Sequence, residues 1–263
     1  MATVNSRRKD AAGGCLAAIL FMAASTVHAQ NGQGKIFAVQ AEAEYHHAQK
    51  EVETANNPTN AIQFARACFD WADFATNKEE RAAIANQGIA ACRRVILLEP
   101  ESAAAHYYLG MDLGQLARAE FLGALRIVRE MEREFKTAAA LDPQLDYAGP
   151  ERCLGLLYRD APGWPASIGS KRKAKAYLEE AARLAPDYPE NILNLVESDL
   201  KWHDASGVER AMDSLDGLWP QAQKNFTGEK WAREWADWSA RRVAARQKLE
   251  AIREAENPRQ NGR

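Results

Sequence analysis

The chain has 263 residues, and 34 lysines and arginines against 36 aspartates and glutamates give a formal net charge of −2. Both signs are interspersed, which argues against general nucleic-acid binding, because that function requires a basic face. The length is sufficient for one domain with a substantial hydrophobic core.

The N-terminus has the pattern of a secretory signal. Arg7, Arg8 and Lys9 precede an apolar run at residues 11–24, and Val27-His28-Ala29 satisfies the small-x-small cleavage rule. A membrane anchor would need about twenty apolar residues, and this run is shorter. We therefore predict a signal peptide at residues 1–29 that is cleaved after Ala29, with export to the periplasm or out of the cell, and no membrane span.

Three cysteines follow the predicted signal. They are Cys68, Cys92 and Cys153, and an odd number excludes a complete disulfide framework. Each lies on an apolar helical stripe, which is typical of a small buried side chain. Export also permits one bridge, and Cys68–Cys92 is the candidate within the first repeat, provided that the geometry allows it.

The rest of the chain has a helical pattern. Residues 30–57 are predicted to form a short leader and an N-terminal capping helix at 35–55. Residues 58–220 are predicted to form about four helical hairpins. The predicted helix pairs are 59–75 with 78–98 and 102–117 with 120–141, then a helix around Leu154-Gly155 with the one at 170–186, and finally a hairpin at 189–220. An irregular loop at 159–169 contains two prolines and two glycines.

The hairpins share one ending. Leu98-Glu99-Pro100, Leu141-Asp142-Pro143, Leu184-Ala185-Pro186 and Leu218-Trp219-Pro220 are all Leu-x-Pro, with prolines 43, 43 and 34 residues apart. We expect each to end a helix and each leucine to join a shared apolar core. Thirty-four residues is the tetratricopeptide (TPR) period. Core positions of these repeats match Gly110, Phe135, Ala138, Gly155, Ala174, Leu178 and Ala181, and Val208, Met212 and Leu215 are expected to fill the fourth repeat.

Residues 221–263 are predicted to form a C-terminal capping helix and a frayed tail. Trp231, Trp235 and Trp238 lie on one face of a long polar helix at 228–256. A cap that closes a helical-repeat core suits such a stripe. An aromatic ligand platform or an oligomer contact is the alternative.

Residues 146–181 also resemble a narrower family. The elements Gly149-Pro150, Leu154-Gly155, Leu157-Tyr158, the Ala-Pro loop and Gly169-Ser170 before a helix are similar to the T component of TRAP transporters. That resemblance implies a periplasmic helical-repeat protein that pairs with a substrate-binding protein, in a family whose members can be trimeric and lipid-anchored.

The first helices of stacked hairpins line a concave groove. Tyrosines and arginines are expected there, and these residues dominate binding hot spots. The alternative for Tyr108 and Leu156 is that they fill interhelical core. The predicted partner-binding residues are Arg66, Phe69, Asp70, Asp73, Tyr107, Tyr108, Met111, Gln115, Arg152, Leu156, Arg159, Asn194, Glu197 and Lys201.

The sequence has no pattern that predicts catalysis. GxSxG and HExxH are absent, Gly163–Lys171 fails the spacing of a phosphate loop, and adjacent His46 and His47 on a helix cannot chelate one metal. We predict an all-α solenoid of TPR-like hairpins that acts as a non-catalytic exported scaffold for a protein or peptide partner, without cofactor or metal. The alternatives are a periplasmic transport accessory that captures a small ligand or docks a substrate-binding protein, and an enzyme with its site near the 159–169 loop.

Overall fold

The computed structural model of the chain describes residues 32–120 and 123–256, with side chains for 34–120 and 123–254. The predicted signal peptide, its cleavage site and the predicted frayed tail at 257–263 lie outside these residues. Within the described part of the chain the fold is all-α, which confirms the predicted fold class at that level, and no β-strand forms.

Ten α-helices form in the described residues, and a short 3₁₀-helix at Glu229–Trp231 precedes the last of them. In chain order they are α1 (Gly32–Thr54), α2 (Pro58–Ala72), α3 (Lys78–Leu98), α4 (Ala103–Ala119), α5 (Ala124–Leu141), α6 (Leu145–Asp160), α7 (Lys171–Leu184), α8 (Pro189–Lys201), α9 (Ala205–Asn225) and α10 (Ala232–Glu256).

Short polar side chains fix where several helices begin. The side chains of Asn57, Asn77, Ser170 and Asp204 each accept a hydrogen bond from the backbone N–H three residues later. Each bond satisfies one of the amide groups that the first turn of a helix leaves without a partner, and such a cap stabilises a helix by about 1 kcal/mol.

Each helix packs on the next along the whole chain, and a second set of contacts joins alternate helices. Contacts join α2 to α4, α4 to α6, α6 to α8 and α8 to α10. We call α2, α4, α6 and α8 the first-helix row. Among the described residues, α3, α5, α7 and α9 share no comparable set of contacts, although Arg93 of α3 binds Glu130 of α5 at 2.8 Å. The first helices therefore lie closer together than the second helices.

Three of the four predicted helix ends are confirmed, and the fourth is wrong. α3, α5 and α7 end at the leucines that precede Pro100, Pro143 and Pro186. α9 instead continues through Pro220 to Asn225. An interior proline costs about 3 kcal/mol, but the continued turns bury Trp219, Ala222 and the following Phe226 in the core. That burial offsets the lost backbone hydrogen bond.

The leucines of the Leu-x-Pro endings do not form the core, so this part of the prediction is wrong. Leu98 is 70% exposed and Leu141 is 39% exposed, whereas Leu184 and Leu218 are half-buried. The buried positions lie three residues earlier, at Val95, Ala138, Ala181 and Leu215, each of them 1% exposed or less. A helix that stops at leucine has turned that leucine away from the face that packs inward.

Two hydrophobic cores fill the molecule. The first core runs from Tyr45 on α1 to Leu178 on α7, and the second core runs from Tyr188 to Leu249 and belongs to α8, α9 and α10. Apart from the leucines of the Leu-x-Pro endings, the core residues predicted between Phe135 and Leu215 are buried.

The three cysteines of the described residues are free. Cys68, Cys92 and Cys153 are all buried thiols without a disulfide, so the predicted Cys68–Cys92 bridge is wrong. Cys68 and Cys92 lie in the first core between α2 and α3, where each packs as a small apolar side chain. Burial raises the pKa of both thiols, which keeps them protonated and unreactive.

Candidate functional site

All the predicted partner-binding residues lie on the first-helix row or at its helix ends, but nearly half of them are buried. Tyr107, Met111, Gln115, Arg152, Leu156 and Asn194 are 7% exposed or less. They join the helices of the row to one another and are not available to a partner. The predicted residues with exposed surface are Arg66, Phe69, Asp70, Tyr108, Arg159, Glu197 and Lys201, whereas the Asp73 side chain is 6% exposed.

A junction around Asp73 joins α2 to α4 and α10. Its carboxylate accepts hydrogen bonds from Gln115 Nε2 and Arg118 Nη1, both at 2.9 Å, and from Arg233 Nη2 at 3.2 Å. The Arg233 guanidinium also lies over the ring of Phe74, 5.1 Å from its centroid. The first turn of α10 therefore reaches the far end of the row, at α2.

A left-handed turn opens α6. Asp146, Tyr147 and Ala148 have φ angles of 49°, 56° and 62°, which cost on the order of 1–3 kcal/mol per residue for non-glycine side chains. Gly149 follows because a Cβ there would lie 2.6 Å from the Tyr107 hydroxyl.

Buried side chains hold this turn in place. Tyr107 Oη donates to Asp146 Oδ2 at 2.7 Å, and Arg152 donates to Asp146 Oδ2 at 3.1 Å and to the Tyr147 carbonyl at 3.1 Å. Asn191 of α8 donates to the same carbonyl at 3.1 Å and accepts from Arg152 at 3.0 Å. Three elements of the row thus over-determine the strained turn, which leaves the ring of Tyr147 41% exposed and stacked on Tyr188.

A second junction attaches α10 to α8. Arg241 donates to Glu190, to both oxygens of Glu197 at 2.7 and 3.0 Å, and to Asn194 at 2.9 Å. Trp238 Nε1 also donates to Glu190, at 2.9 Å. Burial alone would raise the pKa of Glu190, but the Arg241 guanidinium holds it below its ordinary value. The predicted groove residues Asn194 and Glu197 are therefore already occupied by the chain itself.

Some of the polar groups of the row that retain exposed surface lie near its start. We call Arg66, Asp70, Tyr108 and Asp146 the concave cluster. The Arg66 side chain is 66% exposed and lies 3.9 Å from Asp70. Burial would lower the pKa of Arg66, but the charges of Tyr108, Asp70 and Asp146 raise it, so residues of three hairpins share one electrostatic environment.

Asp70 is the group of this cluster that titrates near neutral pH. Burial raises its pKa to about 6 in spite of the Arg233 and Arg66 guanidiniums. Arg233 Nη1 lies 3.8 Å from Asp70 Oδ1. The concave cluster thus presents a fixed cation, a tyrosine hydroxyl and two carboxylates, which can donate to and accept from the backbone and polar side chains of an extended segment.

Sequence reasoning missed Asp146, Tyr147, Arg118, Arg233 and Arg241. The Gly149-Pro150 pair is the one signal that could have indicated the turn, because a residue before proline is disfavoured in an ordinary helix. The arginines of α10 resemble any solvated helix face until the fold places them against acidic residues far away in the chain.

Two cavities lie away from the 159–169 loop. A narrow cavity of about 10 Å³ between α4 and α5, lined by Phe69, Gly110 and Met131, has room for about one water molecule. A surface cleft of about 400 Å³ lies between Leu200 and Lys201 of α8 and Lys248 and Ile252 of α10. No group of three metal-ligating side chains forms among the described residues.

No described helix has both the length and the hydropathy of a membrane-spanning segment. Comparison with known proteins finds no family model that matches the chain and no similar curated protein.

Proposed function

We propose that this protein is a non-catalytic, exported scaffold built as a TPR-like α-solenoid of four hairpins, α2–α3, α4–α5, α6–α7 and α8–α9, with α1 and α10 as caps. The contacts between alternate helices support this proposal. First helices that pack on each other, beside second helices that do not, give a stack that curves towards the first-helix row. That row is then the concave side.

The scaffold binds an extended segment of a protein partner across the concave cluster. The observation that carries this proposal is the strained turn at Asp146–Ala148. Strain of this kind clusters at functional sites, and here buried side chains of two neighbouring helices hold it. The turn brings Asp146 into the environment of Arg66 and Tyr108, so polar groups of three successive hairpins face one ligand.

Site-specific cross-linking tests this assignment. Benzoylphenylalanine replaces Tyr108 in one variant and Tyr177, a half-buried tyrosine on the second helix α7, in a matched variant. We expect a defined partner to be captured from position 108 in cells and not from position 177, because only position 108 lies on the first-helix row.

A pair of arginine variants tests the same assignment by measuring how much partner is captured. The side chain of Arg66 is 66% exposed and that of Arg133, on α5, is 67% exposed. Loss of a charged hydrogen bond weakens binding by about tenfold. R66A should therefore reduce capture of the partner about tenfold while R133A leaves it unchanged. Equal capture from both cross-linker positions, or an R66A variant with full capture, would contradict the proposal.

A further inference from the structure

The loop between α6 and α7 carries the most exposed tryptophan of the described residues. Trp164 is 88% exposed, and its neighbours Gly163, Pro165 and Ala166 are exposed as well. We call residues 163–166 the loop tip. A large aromatic ring exposed to water leaves most of its apolar surface available for burial against another apolar phase.

The loop tip is built to hold its shape. Gly169 N donates to the Pro162 carbonyl at 2.8 Å, and Ser170 N donates to the Tyr158 carbonyl at 2.9 Å. A Cβ at Gly169 would lie 2.1 Å from the Ala161 carbonyl oxygen, so the chain closes here as only glycine allows. Trp164 therefore projects from a closed loop and has no need to unfold in order to meet a surface.

Cations follow the tip directly. Lys171, Arg172 and Lys173 form the first turn of α7, which contains no acidic residue. The helix dipole disfavours positive charge at this end, and α3 follows the usual preference with Glu79 and Glu80 in its first turn. Three cations in an unfavourable position indicate a role outside the stability of the helix.

Within the described part of the chain these cations form no ion pair, although the charge of Lys173 lowers the pKa of Glu132. Among the described residues, no carboxylate lies within ion-pair distance of Lys171, Arg172 or Lys173, and the two lysines lie over the rings of Trp202 and Tyr158. The carboxylates of this end of the molecule are occupied by other cations, in the pairs Glu132–Lys136, Asp160–Lys201 and Asp204–Lys175.

We propose that the loop tip and the cations Lys171, Arg172 and Lys173 dock the protein on an anionic phospholipid bilayer, with Trp164 inserted among the headgroups. A tip of four residues is convex and too small for a stable protein interface, which needs about 800 Å² from each partner. A bilayer accepts a tip of this size, tryptophan favours its interface, and anionic headgroups attract a cluster of lysine and arginine. This site is separate from the concave cluster and does not depend on its function.

Vesicle sedimentation with the full chain tests the proposal. Vesicles of phosphatidylcholine with 30% phosphatidylglycerol, a composition chosen for the assay at roughly the charge density of an anionic leaflet, are compared with pure phosphatidylcholine. We expect binding to the anionic vesicles that weakens as salt screens the charges. Binding to the neutral vesicles should be much weaker.

Two pairs of variants identify the site. R172Q/K173Q removes two cations and should weaken binding about thirtyfold, at about fivefold for each charge. R126Q/R129Q removes two exposed cations from the first turns of α5 and should leave it unchanged. W164A should weaken binding about tenfold through the lost apolar burial, whereas L97A, at a leucine that is 84% exposed, should not.

The outcomes are distinct. Site-specific losses in R172Q/K173Q and W164A, with helical circular dichroism unchanged, support docking by this loop. Absence of binding to anionic vesicles, or equal losses in the control variants, would overturn it. Capture of an acidic protein by a cross-linker at position 164, without vesicle binding, would overturn it in favour of a protein partner. Cross-linking from position 108 reports on the concave cluster independently.

Discussion

The helices of the first core and those of the second core pack together through different kinds of side chain. In the first core glycines allow helices to cross closely. A Cβ at Gly110 would lie 2.5 Å from the Phe135 ring, and a Cβ at Gly155 would lie 2.6 Å from Leu178. The repeat pattern of the sequence therefore encodes the α4–α5 and α6–α7 hairpins directly, since one small residue opposes one large residue at each of these two crossings.

The second core depends on aromatic rings and paired charges. Tyr188, Phe226 and Trp238 form edge-to-face contacts with centroids 5.3 to 5.8 Å apart. Arg241 crosses this region and binds Glu190, Glu197 and Asp237. Rings and guanidiniums span longer gaps than a glycine crossing does, which suits the contact of α10 with α8 and α9.

Polar contacts between α6 and α8 form a seam between the two cores, although Leu195 packs against both. Arg152 of α6 binds Asn191 of α8 at 3.0 Å, and Lys201 of α8 binds Asp160 of α6 at 2.7 Å. In an array where each unit contacts its neighbours, stability is the sum of local terms. Apart from the contact of Arg233 with Asp73, damage to one core should therefore remain largely in that core.

The largest expected effect comes from truncating one aromatic residue in each core. F135A and W238A should each destabilise the protein by about 3–5 kcal/mol, since Phe135 is 0% exposed and Trp238 is 1% exposed. W238A should melt α8–α10 first and leave the first core folded. Hydrogen exchange of individual amides measures this, and simultaneous loss of protection in both cores would show that the seam does not separate them.

The next effect concerns charge in the second core. R241A leaves the half-buried Glu190 without its cation and should cost about 3 kcal/mol, measured as the urea midpoint. R242A, whose guanidinium is more exposed and pairs with Asp216, is the matched control with a smaller expected loss. An R241A protein as stable as the wild type would indicate that aromatic packing alone holds α10.

The two cores are expected to respond to pH in opposite directions, because one loses stability as pH rises and the other as pH falls. Asp112 lies in the first core with both oxygens lacking a hydrogen-bond partner, and burial, then the charge of Asp70, raises its pKa well above the ordinary value. The folded state therefore retains this proton, and its contribution is fully present below the unfolded pKa of about 3.9. Stability is lost as pH rises from there through the raised pKa.

The D112N variant should lack this loss, so its advantage over the wild type should grow between pH 5 and pH 8 in urea unfolding. The contribution of Glu190, in the second core, to stability changes with pH in the opposite direction. Its lowered pKa gives stability that is present above the unfolded pKa and lost as pH falls. D213N, at an exposed carboxylate of α9, is the control. Parallel profiles of D112N and the wild type would contradict the assignment.

The smallest effects come from a pair of glycines. G110A should destabilise the protein by about 1–3 kcal/mol because the new methyl group meets the Phe135 ring. G217A should stabilise it by about 0.5–1 kcal/mol, since nothing lies within 4 Å of a Cβ there and alanine favours a helix. Thermal unfolding measures both, and destabilisation by G217A would reveal a crowded site in α9.

Much of the fold was predictable because its determinants are local. Pro100, Pro143 and Pro186 end helices through their own geometry, and Gly110 and Gly155 sit where the repeat period places a close crossing. The prediction that a helix ends before Pro220 was wrong, because whether proline ends a helix also depends on which side chains the following turn buries. Leu98 misled because an apolar residue at a helix end carries no information about which way it faces.

The candidate site was predictable only in outline. The pattern placed Tyr107 and Arg152 on the correct helices, but the fold uses them to hold the turn at Asp146 and leaves Tyr108 and Arg66 with exposed surface. Contacts such as Arg233 with Asp73 join residues 160 positions apart, and no local pattern encodes them. The resemblance to the T component of TRAP transporters, and an enzymatic site near the 159–169 loop, stay predictions.

The contact of Arg233 with Asp70 and Asp73 ties the two ends of the stack together. Open arrays of helical pairs tolerate gain or loss of a unit, because each unit meets neighbours alone. Here one extra pair, or one fewer, would carry the last helix out of reach of the first pair. Duplication or deletion of a single unit would therefore break the contacts of Arg233 with Asp70 and Asp73, and these contacts favour the present number of units.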